Sequence, residues 1–159
     1  MTAHALTCQP WPVEDLPLAL LLLADPCQDR VHQYLPHCQA LALVDDGQVL
    51  GAVLLLALEP DRVELINLAV AEEYQQQGLG TCLLKGAIAW VREQGAQWLE
   101  LGTGAFGHQL AFYQRQGFRV TGILKDHFID HYPEPIYELG IQHKDMLRLS
   151  LQLRSPGDH

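Results

Sequence analysis

The chain has 159 residues, 48% of them apolar and 18% charged, with a formal charge of −9 at pH 7. That length and balance suit one domain with a buried core and exclude a disordered chain. The acidic surplus argues against a nucleic-acid partner, whose phosphates are met by surplus Lys and Arg, and is compatible with an amine substrate.

Four cysteines, Cys8, Cys27, Cys38 and Cys82, show no paired spacing. They read as reduced thiols rather than a zinc ribbon or a disulfide framework, with Cys82 a small core residue of a helix. The apolar run 16–24, bracketed by Asp15 and Asp25, is too short to span a bilayer and follows no basic segment. The expectation is a cytoplasmic protein with no membrane partner.

In chain order, a short strand over 5–9 precedes a helix over 13–23, with Pro12 in its first turn. Asp25-Pro26 breaks that helix, and a second covers 27–34 before Pro36. The runs 39–44 and 48–58 flank Asp45-Asp46-Gly47, a hairpin signal because Asp and Gly tolerate positive φ. Residues 62–70 continue the antiparallel set. A glycine turn leads into a helix over 79–94, where Leu79, Leu83, Ala87 and Val91 form a stripe widened by Cys82 and Trp90. Gly95 closes it. The next strand, 98–101, runs into Gly102-Thr103-Gly104 and is expected parallel to 62–70 through a right-handed crossover. A short helix over 108–116, strands over 118–125 and 144–153, and an irregular aromatic stretch over 126–143 complete the chain. One domain is expected over 1–154, with 155–159 a flexible tail.

A strand, a glycine turn and a helix start aim unpaired amides at one point, which favours a phosphate. Two phosphate motifs fail in Gln75-Gln76-Gln77-Gly78-Leu79-Gly80. No Lys-Ser/Thr pair follows Gly80 as in a P-loop, and Leu83 stands where a dinucleotide turn needs a third glycine. The turn does resemble the acyl-coenzyme A turn of the GNAT superfamily of N-acetyltransferases: Arg or Gln, two residues, Gly, one residue, Gly or Ala. The family places it between its fourth strand and third helix. Leu110-Ala111-Phe112-Tyr113, followed by Gly117-Phe118, is similar to that family's second motif, and the separation of the two motifs agrees.

The resemblance covers about residues 39–153 and implies the GNAT fold, an α/β (α+β) arrangement. Its central sheet is mixed, mostly antiparallel, of about seven strands flanked by helices, and splays between strands four and five. It implies acetyl-CoA as cofactor. The backbone of Leu68, Ala69 and Val70 would pair with the pantetheine arm. Gln75, Gln76, Gln77, Gly78, Leu79, Gly80 and Thr81 would cradle the pyrophosphate, in a turn without any cation. Tyr113 would touch the cofactor and protonate the departing thiolate.

Acetyl transfer to an amine also needs a base. Glu100 lies inside the apolar run Trp98-Leu99-Glu100-Leu101, where burial raises a carboxyl pKa. Glu64, on the strand before the turn, is the second candidate, with Asn67 placed to orient a water and His108 a further relay. Thr103 is a candidate contact to the cofactor arm. His127, Asp130 and His131 do not make a metal motif beside Pro133, so no metal is expected. Phe128, Tyr132 and Tyr137 are candidates for a substrate wall or a homodimer interface, and the acceptor pocket is expected from 25–38 and 126–143. The reading is N-acetylation of a primary amine of a small molecule by direct attack on the thioester. A non-catalytic acyl-CoA sensor, a protein or peptide N-acetyltransferase and a nucleotide-binding regulator stand as alternatives.

Overall fold

The computed structural model describes residues 6–154, so the expected tail 155–159 and the first residue of the expected opening strand lie outside the described residues. Nine strands occur in chain order: β1 Thr7–Trp11, β2 Gln39–Asp45, β3 Gln48–Glu59, β4 Arg62–Val70, β5 Trp98–Gly104, β6 Arg119–Leu124, β7 Tyr137–Glu138, β8 Ile141–Gln142 and β9 Met146–Gln152. Seven form one sheet in the order β1-β2-β3-β4-β5-β9-β6, and β7 with β8 makes a separate hairpin. Among the described residues only β4 and β5 pair in parallel. Five α-helices accompany them: α1 Leu18–Ala24, α2 Gln28–Tyr34, α3 Leu79–Glu93, α4 His108–Arg115 and α5 His127–Asp130. No helix among the described residues is long and apolar enough to cross a membrane.

The hairpin signal at Asp46-Gly47 is realised with φ of 50° and 77°, the left-handed pair that matches strand twist. The expected helix over 13–23 is shorter. Val13–Asp15 is a 3-10 turn, Leu16 and Pro17 are extended, and the α-helix starts at Leu18. Pro17 has no N–H to continue a helix, and its ring pushes Leu16 into extended backbone. The stretch 126–143, expected irregular, holds α5 and the β7–β8 hairpin, each only one turn or two residue pairs long.

Two cores sandwich the sheet. On one face α3 buries Leu83, Leu84, Ala87, Ile88 and Val91 against Leu41, Val53, Leu65, Leu99 and Leu101. Cys82 is exposed, correcting its expected core position: the buried stripe turns toward Leu84 and Ile88 instead. On the other face α1 and α2 bury Leu20, Leu21, Val31 and Tyr34 against Ala42, Ala52 and Leu54.

A bulge in β4 sets up the site. Leu65 pairs with Leu55 and Asn67 with Leu54, leaving Ile66 extra. The extra residue puts both Ile66 and Asn67 on the α1–α2 side. Asn67 is buried, and its Nδ2 donates to the Leu21 carbonyl and to the Tyr34 hydroxyl, each at 3.0 Å. One amide thus ties β4 to α1 and α2, a structural task in place of the expected water-orienting one. Asn67→Ala leaves those buried acceptors without their donor and is expected to cost about 1–3 kcal/mol in urea unfolding; an unchanged midpoint would refute the clamp.

Candidate active site

The parallel pairing of β4 and β5 covers Arg62 with Trp98, Val63 with Leu99 and Glu64 with Glu100, and stops there. Beyond it the strands diverge, so among the described residues the β4 backbone from Leu65 to Val70 has no pairing with β5. Two concavities open at this split. One lies between α3 and α4 and has a volume of about 670 Å³; the other lies toward α1, α2 and α5 and has about 210 Å³. Gln109, on α4, lines both.

The larger cleft is built on the glycine turn. Gly78 precedes α3 with φ of 80°, a conformation strained for any residue with a Cβ. The first intrahelical bond runs from the Cys82 N–H to the Gly78 carbonyl at 3.1 Å. The amides at the helix start before Cys82 therefore point outward at the positive end of a 15-residue helix. Val70, Gln75, Gln76, Gly78, Leu79, Gly80 and Thr81 line this cleft, as does Tyr74. The Gln75 side chain turns back, its Nε2 donating to the Val70 carbonyl at 2.9 Å. Gln77, Leu68, Ala69, Thr103 and Tyr113 are not in the lining. Ala69 is buried in the α1–α2 core, and Leu68 packs partly buried on the α3 core, so their contribution is confined to backbone. Thr103 is buried, its Oγ1 donating to Gln109 Oε1 at 3.3 Å, and it faces the smaller cavity.

The opposite wall of the cleft is α4. His108, Ala111, Phe112 and Arg115 line it, and their spacing of three to four residues puts them on one helical face. Arg115 supplies the cation that the turn itself lacks. The sequence carried this signal in the period of the second motif, but only the packing of α4 opposite α3 brings Arg115 to the turn. The backbone N–H of His108 is capped by Glu138 Oε2 at 3.2 Å, and Glu138 Oε1 lies 2.9 Å from His143 Nε2. The bond to His143 holds the Glu138 carboxyl below its usual range. The cleft meets the requirements of a coenzyme A pyrophosphate: unpaired amides, a helix dipole and one facing guanidinium.

Tyr113 is 6% exposed and sits edge-on between Phe112 and Phe118. Burial pushes its hydroxyl well above the ordinary tyrosine range, which keeps it protonated. The two carboxylate candidates separate. Glu100 is held by Arg62, whose Nη2 donates to both carboxylate oxygens at 2.8 and 2.7 Å and whose Nε donates at 3.1 Å. It lines neither concavity. Glu64 lines the smaller cavity, and its Oε2 accepts from Arg148 Nη1 at 3.0 Å.

That cavity also takes in Asp25 and Arg30 from the α1–α2 region, and His127, Phe128 and Tyr132 from the 126–143 stretch. Tyr137 is 63% exposed on the hairpin and does not reach it. Asp25, Arg30 and Arg148 were not singled out as site residues, because nothing local marks them; they meet only through the fold. Tyr132 is pushed up to about 12, first by burial and then by Asp25. His127 is lowered to about 4, first by burial and then by His131, Arg30 and Arg148, against Asp130.

The Acetyltransferase (GNAT) family profile matches residues 3–118. The uncharacterized N-acetyltransferase YvbK of Bacillus subtilis is 43% identical over 135 residues, covering 84% of this chain and 87% of that protein. A GNAT acetyltransferase from Elizabethkingia anophelis, crystallised with acetyl-CoA bound, superposes with a TM-score of 0.88 at 38% identity, over 92% of this chain and 97% of its own. A Bacillus subtilis acetyltransferase in complex with CoA gives 0.82 at 39% identity, over 92% and 99%.

Arg115→Ala is expected to weaken coenzyme A binding about tenfold at low salt, with a smaller difference at high salt. Calorimetry reads this directly, and equal affinities for variant and parent would remove Arg115 from the phosphate site. His127 gives a stability signature. Its folded pKa of about 4 lies below the unfolded value of about 6.5, so between these the unfolded chain binds a proton that the folded chain refuses. Stability therefore falls as pH drops from 6.5 to 4, and His127→Gln should flatten that part of the denaturation profile. A parallel profile in the variant would contradict the shift.

Proposed function

The chain belongs to the GNAT acetyltransferase family and is an acyltransferase with acetyl-CoA as co-substrate; on that premise we propose that it N-acetylates a primary amine of a small molecule, with Glu64 as base and Tyr113 as acid. The observation that carries the reading is the separation of the two carboxylates: Glu64 opens into the acceptor cavity, whereas Glu100 is committed to Arg62. The cavity volume, about 210 Å³, is below the roughly 300–1,000 Å³ of drug-sized sites and favours a small acceptor over a folded partner.

When bound, acetyl-CoA supplies an acetyl group activated as a thioester, which passes to the amine nitrogen with release of the thiol. The α3 amides and Arg115 hold the phosphates, and the unpaired edge of β4 from Leu65 to Val70 orients the arm toward the split. The Glu64 carboxylate takes the proton that the amine sheds, while Arg148 fixes its orientation. Tyr113 Oη, kept protonated by burial, would donate to the departing sulfur and, being shut off from solvent, take the proton back from the more acidic thiol, which leaves as thiolate.

A thiol-release assay over a panel of primary amines tests the assignment. Glu64→Gln and Tyr113→Phe are each expected to lower kcat by roughly 10²- to 10⁴-fold, whereas Glu100→Gln acts chiefly on stability. Full turnover in Tyr113→Phe would remove it as the acid, and a kcat loss larger in Glu100→Gln than in Glu64→Gln would reverse the choice of base.

A further inference from the structure

The smaller cavity is rich in guanidinium for a chain with 19 acidic and only 10 basic residues. Arg148 stands on β9 opposite Gly102 of β5 and crosses that glycine to reach Glu64 on β4. A Cβ at position 102 would meet Arg148 Nη1 at 3.0 Å and would collide with Met146. The missing side chain is therefore the passage by which this arginine enters the cavity. A guanidinium carries five N–H donors. Arg148 directs one to Glu64, and its side chain makes no other hydrogen bond among the described residues.

Arg30 approaches from the facing wall, its Cζ 5.0 Å from the Tyr132 ring centre. It forms an ion pair with Asp25, 3.9 Å from Nε, and engages the Tyr132 side chain, while its buried Nε makes no hydrogen bond. Asp25 is shared, accepting from the Tyr34 hydroxyl at 3.1 Å and from the Cys27 N–H at 3.2 Å and also engaging Tyr132. His127 Nε2, in the same lining, is a further buried nitrogen without a hydrogen-bond partner, donor or acceptor according to its tautomer. Buried polar groups are ordinarily satisfied, so the unfilled N–H groups of Arg30 and Arg148 beside one cavity point to a ligand bearing acceptors. Burial, then His131, and then both arginines push His127 toward its neutral form.

We propose that the acceptor is an amine that also carries a carboxylate, an amino-acid-like zwitterion, whose carboxylate is held by Arg148 and whose amine lies beside Glu64. This inference rests on the small-amine reading above and names its substrate class. Arg148 Nη1 and Glu64 Oε2 are 3.0 Å apart, so adjacent acidic and amino groups of one small molecule can address them together. The planar fork of arginine matches a carboxylate with two parallel bonds. Ile66, Leu124, Phe128 and Tyr132 offer apolar surface to the remainder of the molecule. The lining sets two carboxylates, Asp25 and Glu64, beside the two guanidiniums of Arg30 and Arg148, a mixed charge that suits a zwitterion better than a purely cationic acceptor.

Matched pairs of amines test this with the full-length enzyme and acetyl-CoA: L-phenylalanine against phenethylamine, and L-leucine against isopentylamine. The expected result is a kcat/KM at least about tenfold higher for the amino acid of each pair, carried mainly by KM. Because Arg148 also orients Glu64, Arg148→Gln is expected to lower kcat for both members of each pair and, in addition, to raise KM for the amino acid alone, erasing the preference. If kcat falls for both members while the amino acid keeps its KM advantage, Arg148 only positions Glu64 and the carboxylate anchor is overturned. Decarboxylated amines turned over as well as or better than their amino acids would overturn the zwitterion proposal while leaving small-amine acetylation standing. No coenzyme A release with any pair would overturn both.

Discussion

The site depends on β4 and β5 pairing for three residues and then separating. A parallel pair continued to Val70 would satisfy every backbone group and leave no opening between the strands. The bulge at Ile66 bends β4 just past the last paired residue, and ion pairs on one sheet face hold the junction. Arg62 on β4 grips Glu100 on β5 with three hydrogen bonds, and Glu64 on β4 meets Arg148 on β9 across Gly102. These contacts stand at the apex of the split. The carboxylate proposed for catalysis therefore sits where the geometry is most constrained.

The two concavities divide the work by different physics. The cofactor side uses backbone amides at a helix start, which keep their charge and direction whatever the neighbouring side chains. The turn holds three glutamines and no cation, and α4 brings the Arg115 guanidinium into the lining of the same cleft. The acceptor side uses side chains from α1–α2, α5, β4 and β9, brought together across long sequence separations. Its character is free to change while the sheet and the turn stay the same. The glycines of β5 serve this side: Gly102 admits Arg148, and Gly104 lies where a Cβ would strike the His143 ring.

Much of the fold was legible because it is local. The Asp46-Gly47 turn, the β4 span, the α3 boundaries with Gly78 and Gly95 at positive φ, and the parallel crossover to β5 all follow from turn chemistry and periodicity. Misreadings arose where local signals compete. Dense leucines hid the break at Leu16-Pro17, and the stripe of α3 could be drawn through Cys82 as readily as through Leu84 and Ile88. The short α5 and the β7–β8 hairpin carry too few residues for either period to register, and they are held by contacts such as Glu138 with His143.

By itself the sequence determined the parallel crossover and the glycine turn with its free amides, because those depend on spacing within a single strand–turn–helix segment, and the resemblance of that turn and of residues 110–118 to the two GNAT motifs named the cofactor. Tertiary structure decided the rest. It tied Glu100 to Arg62, opened Glu64 to the acceptor cavity, made Asn67 a clamp, carried Arg115 to the phosphate turn and brought Arg30 and Arg148 into one small space. Both carboxylates meet an arginine, and what separates them is that Glu64 opens into a cavity while Glu100 does not, a difference with no counterpart in residue order.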